Sequence, residues 1–73
     1  MKHAYYVRVI GNKVKQAYTT LGRANEGAKY RGGKVYGVAI IKGKPRIVCR
    51  YYGICKCELT EEDKEVEVRW IKV

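Results

Sequence analysis

A chain of 73 residues with 16 Lys/Arg against 7 Asp/Glu, net +9, is one domain (1–73) near the size at which a single core is only marginally stable. No apolar run approaches the ~18 residues of a membrane span, and Met1-Lys2-His3-Ala4 leads into a strand pattern with no secretory leader, so a cytoplasmic, intracellular protein with no membrane partner is expected. Self-repulsion on this scale disfavours a compact monomer without a neutralising partner, and nucleic acid, DNA or RNA, is the expected one.

His3–Ile10 alternates as a strand, Gly11-Asn12 suits a two-residue turn, and Lys13–Thr19 returns as the partner strand. Pairing across that turn sets Val9 opposite Val14, Val7 opposite Gln16 and Tyr5 opposite Tyr18 on an apolar face. The reverse face then carries Arg8 opposite Lys15 and Tyr6 opposite Ala17, with Lys13 at the turn. Like charges directly opposite on a sheet are unfavourable. A phosphate between them would reverse the sign, and a neighbouring tyrosine suits base stacking.

Thr20–Arg31 is the one expected helix. Thr20 can cap it, Leu21, Ala24 and Ala28 form a narrow apolar stripe, and Gly32-Gly33 stops it. Arg23, Tyr30 and Arg31 would then point outward together. Gly22 and Gly27 oppose the helix by about 1 kcal/mol each relative to Ala.

Val35–Tyr52 supplies the longest apolar surface, as two β-branched and aromatic runs around Lys42-Gly43-Lys44-Pro45. With Gly43-Lys44 at the centre of the turn, Ile40 faces Ile47, Val38 faces Cys49 and Tyr36 faces Tyr51 on the core side. Arg46, Arg50 and Tyr52 then share the other side, a candidate surface for phosphates and bases. Gly53 interrupts the pattern before Ile54–Leu59, Thr60–Lys64 reads as an acidic turn, and Glu65–Val73 alternates with Val66, Val68 and Trp70 inward. This last strand also offers an edge for pairing with a second copy of the chain.

The charge is unevenly placed. Residues 1–57 hold thirteen Lys/Arg and one acid, Glu26, whereas residues 58–73 hold three Lys/Arg and six acids. Absence of Ser and Phe, one Gln and two Asn give a thermophile-like composition. Cys49, Cys55 and Cys57 form no C-x₂₋₄-C knuckle, so they read as free thiols and no metal is expected. A single histidine, no serine nucleophile and no Gly-rich phosphate loop argue against an enzyme, a cofactor or a small-molecule substrate.

The fold expected is α+β: an antiparallel sheet of four to five strands with one short helix, in the order β-β-α-β-β-β. Were Thr20–Arg31 a loop, a small SH3-like or OB-like β-barrel would follow. The function expected is non-specific nucleic-acid binding, mainly to phosphate, with Arg8, Lys13, Lys15, Lys42, Lys44, Arg46 and Arg50 as charge contacts and Tyr6 and Tyr52 as stacking platforms. The alternative is a protein–protein interaction module or regulator that meets an acidic partner through a sheet edge or the tyrosine-rich surface.

Overall fold

The central hairpin closes at Lys42-Gly43. Both residues have positive φ, 53° and 78°, the paired left-handed geometry that matches the twist of flanking strands. Gly43 adopts it without a Cβ clash. The turn thus lies one residue before the expected Gly43-Lys44, and it joins β3 (Lys34–Ile41) to β4 (Lys44–Tyr52), with Ile40 opposite Pro45 and Ala39 opposite Arg46. The computed structural model in which this is seen describes residues 3–11 and 13–65.

A bulge then decides the faces. Val38 lies opposite Ile47 but Gly37 lies opposite Cys49, so Val48 is the extra residue on β4. One extra residue reverses the in–out alternation beyond it. Tyr36 is therefore opposite Arg50 and Val35 opposite Tyr51, in place of the expected pairs Tyr36–Tyr51 and Val38–Cys49. By this register Arg46 shares the face of Cys49 and Tyr51, while Arg50 and Tyr52 lie on the other. The single surface of Arg46, Arg50 and Tyr52 does not form.

The first hairpin carries the same device. In β1 (Tyr5–Ile10) and β2 (Lys13–Tyr18), Val9 is opposite Val14, but the next pairs are Arg8–Gln16, Val7–Ala17 and Tyr6–Tyr18. Lys15 is the extra residue, so the expected Arg8–Lys15 like-charge pair is absent.

Helix α1 (Leu21–Arg31) follows. The Thr20 hydroxyl accepts from the Arg23 amide at 3.3 Å, and the Gly32 amide donates to the Ala28 carbonyl at 2.9 Å, so both ends are capped. Lys29 and Arg31 in the last turn complement the helix dipole. After β4, β5 (Cys55–Cys57) pairs with its end, giving one antiparallel sheet in the order β2-β1-β3-β4-β5. The sheet is not closed, so the barrel alternative is not adopted. Residues 61–65 are helical, which places Glu65 in a helical turn instead of a strand. The remainder of the expected strand Glu65–Val73, with Trp70 and the dimer edge, lies outside the described residues.

Both faces of the sheet are covered. On one, Val7, Val9, Tyr36, Val38 and Ile47 form the apolar core, with Tyr5, Val14 and Leu59 packed against it. Burying each such aliphatic side chain stabilises the fold by roughly 1.5–3 kcal/mol. On the other, α1 packs over β1, β2 and β3, and Ala24, Val35 and Ala39 are buried. Among the described residues no helix is long and apolar enough to cross a membrane.

Candidate nucleic-acid interface

Of the candidate contact residues, Arg8 is drawn inward. It is 5% exposed, its Nε donates to the Tyr18 hydroxyl at 3.2 Å and its Nη1 donates to the Gly32 carbonyl at 3.1 Å. A buried guanidinium needs acceptors, and the C-terminal end of α1 supplies one where the helix dipole is negative. Arg8 therefore anchors the end of α1 to the sheet and does not present a charge to a phosphate.

Arg50 is also turned inward. Its Nη1 lies 3.8 Å from the Asp63 carboxylate, and its guanidinium sits 4.3 Å from the centroid of the Tyr52 ring. Tyr52 remains exposed, with one face already stacked by a cation. Its neighbour Asp63 is fully buried and accepts from the Tyr36 hydroxyl at 2.6 Å and from the Thr60 amide and hydroxyl at 3.0 Å each. Burial alone would raise the Asp63 carboxyl. The hydrogen bonds from Thr60 and Tyr36, and the Arg50 charge, outweigh it and hold that carboxyl below its ordinary value.

Tyr6 belongs to an aromatic cluster. Its ring centroid lies 5.7 Å from His3 and 5.8 Å from Tyr51, both edge-on. His3 Nε2 is 2.9 Å from the Tyr51 hydroxyl and 3.5 Å from the Cys49 sulfur. Burial, helped by the Lys56 charge, holds the His3 imidazole below its ordinary value. Burial and the Cys49 contact push the Tyr51 phenol up to about 12. The Cys49 thiol of this cluster is itself buried. Among the described residues no group of three or more His, Cys, Asp or Glu converges as a metal site.

Lys13 and Lys15 are exposed along β2, and Lys42, Lys44 and Arg46 are exposed at the β3–β4 turn and the start of β4. The two sets belong to different hairpins, with β1 lying between β2 and β3 in the sheet. What joins the first set is α1. An open groove of about 500 Å³ runs between α1 and β2, lined by Gln16, Tyr18, Arg23, Glu26, Tyr30 and Arg31. Arg23, Glu26 and Tyr30 follow the i, i+3, i+7 spacing of one row along α1, and Arg23, Gly27 and Arg31 the i, i+4, i+8 spacing of the row beside it. Tyr30 is 73% exposed, with Lys29 Nζ 5.7 Å from its ring centroid.

The groove depends on Gly27. A Cβ there would overlap the Tyr18 hydroxyl and lie 2.9 Å from Tyr18 Cζ. The outward set Arg23, Tyr30 and Arg31 was readable from helical period. The contribution of Gln16, Tyr18 and Glu26 was not, because it requires knowing that β2 lies beside α1. Two acids of the other end meet partners away from this flank: Asp63 is bonded to Tyr36 on the core face, and Glu62 pairs with Lys34 at 3.9 Å. No family model matches this chain, and neither a curated protein nor a solved structure matches it.

Proposed function

We propose that this protein binds nucleic acid through the flank built by β2 and α1, chiefly by contacts to phosphate. The observation that carries the reading is the grouping of exposed Lys13, Lys15, Arg23 and Arg31 on those two elements, with Glu26 as the single acid among them. Cations held on one flank neutralise phosphates and release counterions, which makes affinity strongly salt-dependent. Two further features support it. Arg8 and Arg50, occupied inside, leave the external charge concentrated at the flank and at the β3–β4 turn. Tyr30 and Tyr18 stand beside the cations, the combination used for single strands and unstacked bases.

The test is fluorescence anisotropy with labelled oligonucleotides. Affinity should fall tenfold or more between 50 and 200 mM salt if several phosphates are contacted. The variant Lys13→Glu/Lys15→Glu/Arg23→Glu should lose binding at low salt while staying folded, and Lys42→Glu/Lys44→Glu should bind nearly as the parent does. The reverse pattern would move the site to the β3–β4 turn. No binding to any oligonucleotide at low salt would refute the reading and transfer it to an acidic protein partner.

A further inference from the structure

The charge sequence along the α1–β2 groove is the feature that phosphate neutralisation alone leaves unexplained. Arg23 and Arg31 line it, and Glu26 lies between them in the chain. The two arginines are eight residues apart on one helix, about 12 Å along its axis, a length of three to four stacked nucleotide steps at roughly 3.4 Å each, and fewer once a strand is stretched. A sugar-phosphate backbone lying straight along the groove would meet the Glu26 carboxylate halfway. A base turned into the same place would meet an acceptor for its amino group.

The strand side of the groove is equipped to match. The Tyr18 hydroxyl accepts from buried Arg8 and donates to Gln16 Oε1 at 3.1 Å. With its oxygen occupied, the Gln16 side chain presents its amide N–H donors. The groove then offers a donor at Gln16, an acceptor at Glu26 and an exposed ring at Tyr30, with a cation on either side. Its volume of about 500 Å³ falls in the range of small-ligand sites. A duplex conceals the flat faces and pairing edges of its bases, whereas an unpaired nucleotide offers both.

We infer that the α1–β2 groove accepts an unpaired nucleotide of a single strand, its base stacked on Tyr30 with its edge toward Gln16 and Glu26, and phosphates further along the strand on either side of it toward Arg23 and Arg31. This rests on the nucleic-acid reading above and narrows it to single strands. Glu26 accepts from an exocyclic amino group such as cytosine N4, so amino-bearing bases are favoured over thymine or uracil.

The experiment compares labelled oligo-dC, oligo-dT and a duplex, each of about twelve nucleotides or base pairs, by anisotropy at one salt concentration and pH 7.5. Single strands should bind about tenfold tighter than duplex, and oligo-dC several-fold tighter than oligo-dT. Tyr30→Ala should weaken single-strand binding by about tenfold, the scale of one stacked base, and leave duplex binding unchanged, with Tyr30→Phe restoring it. Glu26→Gln should remove the preference for oligo-dC. Because Tyr30 is largely exposed, a circular-dichroism melt of Tyr30→Ala should match the parent. Equal affinity for duplex and single strand, with no effect of Tyr30→Ala, would overturn this inference while leaving the charge-driven reading intact. Failure to bind any of the three would overturn both.

Discussion

Arg8 and Asp63 are the buried charged side chains among the described residues, and the two ends of the chain neutralise them by different means. Asp63, on the core face, is surrounded by partners from its own turn and from the sheet: the Thr60 amide and hydroxyl, the Tyr36 phenol and the Arg50 guanidinium. Arg8, beneath α1, has a phenol and a carbonyl, and no ion pair with a carboxylate among the described residues. Around Asp63 and Glu62, carboxylates thus meet Arg50 and Lys34. The helix side keeps a net positive charge, and its exposed cations are available to a ligand.

The contrast can be broken most severely at Asp63. Asp63→Ala strands Arg50 without its carboxylate and should destabilise the fold by about 3–5 kcal/mol, a large share of the stability of a domain this size. Urea unfolding at pH 7 measures it. The native Asp63 carboxyl is held below its ordinary value of 3.8, so its stabilisation is complete above that pH and is lost as pH falls through the lower native value. The gap between the parent and Asp63→Asn should therefore be largest at neutral pH and narrow as the pH falls below 3.8 through the native value. A gap that persists in acid would show that the carboxylate charge is not what stabilises this side.

The helix side is probed by two glycines of α1. Gly27→Ala forces a methyl group into Tyr18 and against Arg8 Nε at 3.5 Å, which should cost about 1–3 kcal/mol despite the better helix propensity of Ala. Gly22 has nothing within 4 Å of an added Cβ, so Gly22→Ala should instead stabilise by about 0.5–1 kcal/mol. Thermal melts of the pair separate propensity from packing. Equal shifts would mean that α1 does not press on Tyr18. The smallest effect belongs to the Lys34–Glu62 contact, whose side chains are 40% and 76% exposed. Lys34→Ala should change stability by a few tenths of a kcal/mol, and a shift above 1 kcal/mol would mean that the acidic side is held by surface pairs as well as by Asp63.

Much of the secondary structure was legible in the residues. The alternation of β1 to β4, the Thr20 cap and the extent of α1 follow from period and local chemistry, because each depends on neighbours within a few positions. The site was legible only in part. Lys13, Lys15, Lys42 and Lys44 are exposed, as lysines in turns and edge strands ordinarily are. Arg8 and Arg50 looked equivalent to them and are not, since an arginine is drawn inward only where acceptors from distant segments await it, here Gly32 and Asp63. His3, expected as the first residue of a strand, is packed against Tyr6 of β1 and against Cys49 and Tyr51 of β4.

By itself the sequence determined a short, sheet-rich basic domain with one capped helix and its acids at the far end, since propensity, capping and charge count are local quantities. The tertiary structure alone decided register and faces. The bulges at Lys15 and Val48 each move a strand by one residue, and with a side-chain period of two, one residue exchanges inside for outside. The turn at Lys42-Gly43 moves the pairing by two, so that Ile40 meets Pro45 in place of Ile47, and keeps the faces. Which of two registers is adopted depends on the packing of both strands against α1 and the 61–65 turn, a balance that no window of the sequence contains.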